Sequence, residues 1–343
     1  MKQKRAPRDV VASAAKQSRR GGALVGALLL ATPALLSSGA PSHAAGYPTK
    51  PVRLIVVYPP GGGIDLLARV MGPSFTETWG QAVVVDNRPG AGTTIGAAVA
   101  AKAPPDGYTL LMTDVSFAIT PSLYSSLPYD AQKSFAPISL INLVTDVLVV
   151  HPSVPAGSVK ELIAYAKANP GKILYASAGN GTLNHLAPEM LKAMAGIDLV
   201  HVPFKGALAA LTDVVAGRQQ LYIGALASTV PHIKSGRVRA IAITGKKRSS
   251  MLPDLPTMAE SGLPDYDVNA WYGLLAPAGT PRSIVTAVHR QVKKALQSRE
   301  VQQQLAEQGS EAVGNTPEEF RAFISDEIVK WNGAVKTAGA KVD

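Results

Sequence analysis

The sequence predicts an α/β protein in which a mainly parallel sheet is flanked by helices. The first observation is an apolar, β-branched run at residues 52–57 that passes through a Pro/Gly-rich turn into a helical pattern. The second is that two similar units follow before residue 120, and the third is another alternating series after residue 146. Because strand–helix–strand units place successive strands parallel, we expect ligands at the carboxyl ends of the strands.

Each predicted strand is a short apolar run, and each predicted helix follows a turn. We predict strands at residues 52–57, 82–86, 109–113, 146–151, 173–176, 199–202, 220–224 and 238–244. We predict helices from residue 64 and at residues 97–102, 159–168, 186–195, 207–216, 281–308 and 317–338. The helix at 281–308 is predicted from the helical spacing of Val285, Val288, Val292 and Leu296, whereas residues 114–120 are predicted as a loop.

The turn after the first strand, residues 58–63, begins with Tyr58 and contains the run Gly61, Gly62 and Gly63. Three glycines leave backbone N–H groups accessible at the start of a helix, where the positive end of the helix dipole favours an anion. The sequence therefore predicts an anion site, with a plain glycine-rich turn as the alternative. Asp65 either contacts a ligand amine, hydroxyl or water, or supplies favourable charge near the helix N-terminus.

Two further glycine loops follow strands in the same structural place. Their hydroxyls either donate to carboxylate oxygens of a ligand or cap helices, and one group can do both. The candidate ligand-binding residues outside the first turn are Gly90, Gly92, Thr93, Thr94, Ser116, Ser177, Gly179, Asn180, Gly181 and Thr182.

The positive charge of the 343-residue chain is concentrated at its N-terminus. Residues 1–44 contain seven basic residues and one acidic residue, so they carry +6 of the total +10. The remaining 27 basic and 23 acidic residues leave only +4, which argues against a nucleic-acid groove in the folded part. We therefore expect no nucleic-acid partner.

The first 44 residues have the pattern of a secretory signal peptide. A basic segment precedes an apolar run, and Ser42-His43-Ala44 matches a small-residue cleavage site. We predict export to the periplasm with cleavage after Ala44, by either the general or the twin-arginine route.

Several chemistries lack the residues that they need. Cysteine is absent, which excludes disulfides, thiolate catalysis and iron–sulfur clusters. Neither of the first two glycine loops completes a dinucleotide fingerprint, and no P-loop lysine follows a glycine loop. The six histidines show no metal-ligand spacing, and only His185 lies beside a glycine loop. We predict no metal, no cofactor and no catalytic residue.

Seven segments in order resemble the periplasmic substrate-binding proteins of tripartite tricarboxylate transporters, also called Bordetella uptake (Bug) receptors. The resemblance covers essentially everything after the leader. The segments are Tyr47-Pro48 to Pro51-Val52-Arg53, Pro60-Gly61-Gly62-Gly63-Ile64-Asp65, Asn87-Arg88-Pro89-Gly90-Ala91-Gly92, Asp106-Gly107-Tyr108-Thr109-Leu110, Ser177-Ala178-Gly179-Asn180-Gly181-Thr182, His201-Val202-Pro203-Phe204-Lys205-Gly206, and Trp271-Tyr272-Gly273 with Ala276-Pro277-Ala278-Gly279-Thr280-Pro281.

The resemblance implies a two-lobed, type II periplasmic binding-protein fold with a ligand cleft between two α/β lobes. The expected division is a leader at 1–44, lobe one at 45–142 and 245–343, and lobe two at 143–244. In this family, backbone N–H groups and waters of the first two glycine loops hold ligand carboxylates, and lobe two closes over the ligand. Thr93 departs from the pattern, because the family usually has a glycine there.

The implied function is capture of a small organic acid and its delivery to the membrane permease subunits of a tripartite transporter, without a chemical step and as a monomer. Two alternatives remain open at this point. One is a sensing subunit that presents the bound ligand to a histidine kinase, and the other is an enzyme that uses Asp65 as a general base.

Overall fold

A computed structural model describes residues 46–341, so the predicted leader and its cleavage site lie outside the described residues. The strands are Val52–Val56 (β1), Val83–Asn87 (β2), Thr109–Asp114 (β3), Phe135–Val144 (β4), Asp146–Val150 (β5), Leu174–Ser177 (β6), Val200–Pro203 (β7), Leu221–Ala225 (β8), Arg239–Ile243 (β9), Ala270–Pro277 (β10) and Ser310–Ala312 (β11). The α-helices are Gly63–Trp79 (α1), Thr94–Ala101 (α2), Ser116–Leu123 (α3), Val159–Ala168 (α4), Leu183–Ala195 (α5), Ala207–Val215 (α6), Leu226–Lys234 (α7), Arg282–Ala295 (α8), Arg299–Glu307 (α9) and Pro317–Ala338 (α10). The predicted α/β class is confirmed.

The first sheet has six strands in the order β11-β4-β10-β3-β1-β2. Strand β1 pairs in parallel with both β2 and β3, so the turns that follow β1 and β2 lie at one edge of the sheet. Strand β10 is antiparallel to β3 and β4, and β11 is antiparallel to β4. Four of the six strands therefore run in one direction, and the sheet is mixed.

The second sheet has five strands in the order β7-β6-β8-β5-β9. Strands β6, β7 and β8 are parallel, and β5 is antiparallel to both β8 and β9. Strand β5 is apolar with every residue buried, which is consistent with its interior place between β8 and β9.

The chain passes between the sheets twice, once at Thr145 and once between β9 and β10. The two connections are hydrogen-bonded to each other near Asp146. The backbone N–H of Ala270 donates to Asp146 Oδ2 at 2.9 Å, and Thr244 Oγ1 donates to the Asp146 carbonyl at 3.0 Å. A pair of adjacent connections is the arrangement about which two lobes can rotate as rigid bodies.

The C-terminal helix α10 packs on the first sheet and holds β10, the strand with which the chain returns to that sheet. It packs against α3 and β4 and also touches α5 beside the second sheet. The indole N–H groups of Trp271 and Trp331, both fully buried, donate to the same Glu327 oxygen at 2.9 Å. Buried indoles need such an acceptor, so this bond fixes β10 against α10. None of the helices within residues 46–341 is both long and apolar enough to cross a membrane.

Two local predictions were wrong. Residues 114–120 are not a loop, because α3 begins at Ser116 and buries Phe117 and Ile119, and this packing stabilises a short helix of weak propensity. The predicted helix 281–308 is two helices, α8 and α9. The hydroxyl of Ser298 accepts the N–H of Val301 and so starts the second helix, which is a capping signal readable in the sequence.

Candidate ligand-binding site

The first glycine turn, loop 1 (residues 58–63), leads directly from β1 into the 17-residue helix α1. Gly62 is the residue before the first helical turn, and its backbone is extended. The first N–H groups of an α-helix have no acceptor within the helix, so they are available to an anion. Loop 1 lines a cavity of about 400 Å³ together with Asp114 and Tyr272.

Asp65 lies beneath loop 1 and is only 1% exposed. One carboxylate oxygen accepts the Gly61 N–H at 2.8 Å and Arg69 Nε at 2.9 Å, and the other accepts Asn87 Nδ2 at 2.8 Å. Asn87 Nδ2 also donates to the Tyr58 carbonyl at 2.9 Å. This network joins loop 1, α1 and the end of β2, so in this structure Asp65 positions the loop through contacts within the protein.

The ionisation of Asp65 follows from this network. Burial opposes its ionisation, but the hydrogen bonds from Arg69, Gly61 and Asn87 outweigh burial and lower the pKa of the carboxyl below its usual value. Asp65 is therefore ionised at neutral pH. That charge lies close to the start of α1, where the helix dipole favours it.

The predicted residues Tyr58 and Ser116 meet at Asp114, the last residue of β3. The Tyr58 hydroxyl donates to Asp114 Oδ2 at 2.9 Å, and the Ser116 N–H donates to Oδ1 at 3.1 Å. Burial raises the pKa of Asp114 to about 6, although these hydrogen bonds oppose the shift. Burial and the nearby Asp114 also raise the pKa of Tyr58 well above its usual value, so its phenol keeps the proton that it donates.

Loop 2 (residues 88–94) follows β2 and has an unusual backbone. Gly90 and Gly92 adopt positive φ, as do Ala91 and Thr93, with φ of 78° at Thr93. A threonine with positive φ is strained by roughly 1–3 kcal/mol. The Thr94 hydroxyl donates to the Ala91 carbonyl at 2.8 Å, but Thr93 is 2% exposed and its hydroxyl has no partner among the described residues.

Loop 3 (residues 177–182) follows β6 of the second sheet. The Thr182 hydroxyl donates to the Gly179 carbonyl at 2.7 Å, and Asn180 is exposed. Gly181 has positive φ, and a Cβ atom there would clash with Leu123 of α3. In loop 2, a Cβ on Gly92 would lie 3.8 Å from Thr120, also in α3. Helix α3 therefore lies next to both loop 2 and loop 3.

The remaining loop 3 groups bond to histidines of β7 and α5. Ser177 Oγ lies 2.6 Å from His201 Nε2 and is completely buried. His185 Nδ1 accepts the N–H of Gly181 at 3.0 Å. Burial, together with the neighbouring His185, lowers the pKa of His201 to about 4, so the imidazole is neutral at neutral pH. Within residues 46–341, no three acidic or histidine side chains lie close enough together to hold a metal ion.

A larger groove, of about 790 Å³, lies elsewhere on the surface, between α1 and the helices α8 and α9. Its charged walls include Arg69, Glu77, Lys294 and Glu300, so both signs are present. Helical side chains line this groove, whereas the loop 1 cavity is lined by glycines at a helix N-terminus. Of the two, the loop 1 cavity is the one that favours an anion.

Sequence reasoning missed four residues that shape the loop 1 cavity or its support: Asn87, Asp114, Tyr272 and Gln308. Asp114 was detectable, since a carboxylate directly after an apolar strand lies at the carboxyl end where ligands bind. Tyr272 was not detectable as part of this cavity, because it lies on β10, about 160 residues after Asp114 along the chain, and only strand pairing brings the two together.

Comparison with known proteins identifies the family of the chain. A family model for the tripartite tricarboxylate transporter family receptor matches residues 67–340. Protein BugT of Bordetella pertussis (strain Tohama I) is 39% identical over 305 residues, which covers 88% of this chain and 94% of BugT.

Two solved structures are similar to this chain in both fold and sequence. The R. palustris protein Rpa4515, solved with adipate, is 36% identical with a TM-score of 0.75, and the match covers 86% of this chain and 100% of that one. MatC (Rpa3494) from Rhodopseudomonas palustris, solved with bound malate, is 30% identical with a TM-score of 0.72, covering 84% and 100%. These similarities confirm the two-lobed α/β fold and the predicted resemblance, and the chain belongs to the tripartite tricarboxylate transporter receptor family.

Proposed function

We propose that the protein is a periplasmic receptor that binds a small organic acid between its lobes and delivers it to the membrane subunits of a tripartite transporter. The observation that carries the proposal is the loop 1 cavity, where Gly62 and Gly63 open the N-terminus of α1 beside about 400 Å³ of space. That volume lies within the range of about 300–1,000 Å³ typical of small-molecule sites.

Binding requires no chemical step in this proposal. Lobe one, at residues 45–142 and 245–343, supplies loops 1 and 2, and lobe two, at residues 143–244, supplies loop 3. Contacts from both lobes to one ligand favour the closed arrangement, and the connections beside Asp146 form the hinge. The closed form is then the state that the permease subunits recognise. A leader cleaved after Ala44 places the receptor in the periplasm as a monomer.

The relatives support the chemical class of the ligand. Rpa4515 was solved with adipate and MatC with malate, and both molecules are small carboxylic acids. The loop 1 N–H groups recognise a carboxylate as such, and the remainder of the cavity selects among carboxylic acids. The hydroxyl of Thr93, without a partner in the described part of the chain, is a further donor that we assign to the ligand site.

A thermal-shift screen tests the proposal. We expect at least one small carboxylic or amino acid to raise the melting temperature by several degrees when present at about 100 times its Kd, because that excess stabilises the folded state by about 2.7 kcal/mol. Esters or amides of the same acid serve as matched controls and should not do so. The proposal is wrong if no acid shifts the transition and mass spectrometry finds no acid released from the denatured protein.

A further inference from the structure

A row of polar residues crosses the first sheet where loop 1 covers it. Tyr272 on β10 lies opposite Asp114 on β3 and opposite Asn142 on β4. Residues directly opposite each other in antiparallel strands project from the same face of the sheet. This face is the one beneath loop 1, because a Cβ atom on Gly63 would lie 2.8 Å from the Tyr272 hydroxyl.

Asp114 brings a carboxylate to this row without a cationic partner. Throughout residues 46–341, no Lys, Arg or His nitrogen lies within ion-pair distance of it; its partners are the hydroxyls of Tyr58 and Ser116 and the Ser116 N–H. By contrast, Asp65 and Asp86 are each paired with arginine. Burying an unpaired carboxylate is costly, and Asp114 is only 9% exposed, so its position beside a cavity needs a functional reason.

Other polar atoms around the row also lack partners. Both amide atoms of Asn142, which is completely buried, are without a hydrogen bond to any described residue. Gln308 Nε2 donates to the Gly63 carbonyl at 3.0 Å, which places this amide against loop 1. Its Oε1 atom is buried and has no partner within the described chain. Asp114 thus has no cationic partner, and Gln308 Oε1 has no partner among the described residues; both lie beside loop 1.

The cavity lining combines groups that favour opposite charges. The N-terminus of α1 favours an anion, whereas the Asp114 carboxylate favours a hydrogen-bond donor with positive charge. A second ligand carboxylate beside Asp114 would be repelled. A zwitterion matches both groups at once.

We infer that the ligand of this receptor carries an ammonium group as well as a carboxylate, and that Asp114 pairs with the ammonium while loop 1 binds the carboxylate. The ligand class is an amino acid or another amino-bearing organic acid. This inference rests on the proposed function and specifies its substrate class.

Matched pairs of acids test the inference by titration calorimetry on the purified exported protein. We expect glutamate to bind at least about ten times more tightly than glutarate, and aspartate more tightly than succinate, where tenfold corresponds to 1.4 kcal/mol. Asp114→Asn removes the charge but keeps Oδ1 as the acceptor for the Ser116 N–H, and the Tyr58 hydroxyl can accept from the new amide group instead of donating. The substitution should weaken binding of the amino acid at least about tenfold and leave the matching diacid unchanged or bound more tightly.

The control is Asp198→Asn, at an exposed position before β7, which should change neither affinity. Circular dichroism and the melting temperature report whether each variant folds, and the preference of the unaltered protein within each pair decides the matter even if Asp114→Asn does not fold. Equal or tighter binding of the diacid by the unaltered protein overturns the inference but leaves the proposed function standing. Binding of neither member of any pair, with no acid released on denaturation, contradicts the proposed function itself.

Discussion

Replacing Gly62 with valine should weaken binding of the acid on the order of 100-fold while the fold is retained, a loss of about 2.7 kcal/mol. Gly62 has φ of −79° and ψ of 165°, a backbone conformation that valine adopts readily. A Cβ atom there meets only the Pro59 carbonyl, at 4.0 Å. The added side chain therefore occupies the cavity over loop 1 rather than displacing protein, and calorimetric titration measures the loss.

The matched control for this substitution is Gly333→Val in α10. Gly333 is exposed, and a Cβ atom there has no atom within 4 Å, so affinity should be unchanged. Circular dichroism of both variants checks that the secondary structure is intact. An unaltered affinity in Gly62→Val would show that the acid does not lie over loop 1.

Replacing Asp65 with alanine should lower the free energy of unfolding by on the order of 3 kcal/mol, because three hydrogen-bond donors lose their buried acceptor. Arg69 is 48% exposed and partly regains water, which keeps the loss below that of a fully buried pair. The same change frees loop 1 from β2, so affinity for the acid should fall as well. Urea unfolding at neutral pH measures the first effect.

The pH dependence of this stability difference has a defined sign. Because the folded protein lowers the pKa of Asp65, its contribution is fully present above the usual aspartate pKa of about 4 and is lost as the pH falls through the lower folded value. The difference in unfolding free energy between the unaltered protein and Asp65→Ala should therefore narrow below about pH 4. Asp254→Ala, at an exposed position, should stay within about 0.5 kcal/mol of the unaltered protein. If the difference in unfolding free energy between the unaltered protein and Asp65→Ala stayed constant down to pH 2, the assigned role of Asp65 would be contradicted.

The parts of the site that were predictable are those encoded in consecutive residues. A run of three glycines after an apolar strand indicates loop 1 directly, and the same logic locates loops 2 and 3. What Asp65 contacts was not predictable, because its partner Asn87 lies 22 residues later and is brought close only by the pairing of β1 with β2. Thr93 was recognised as a departure, but its positive φ and unpartnered hydroxyl required coordinates.

The fold shows the same limit. Strand β4 was missed, because Pro137, Ser139 and Asn142 interrupt its apolar pattern and its burial depends on β10 returning from the far end of the chain. That return also makes the sheet mixed, since β10 is antiparallel to its neighbours. Local periodicity predicts the elements that bury one face against a neighbouring helix. Long-range strand pairing overrides it at β4, and side-chain packing overrides it at α3.

A crystal structure of the protein with the acid that gives the largest thermal shift tests the central claim most directly. We expect one carboxylate of the ligand to lie within about 3 Å of the Gly62 or Gly63 N–H, directly or through one water, with loop 3 on the opposite side of the ligand. An acid bound in the groove between α1 and α8, or anywhere away from loop 1, would contradict the account.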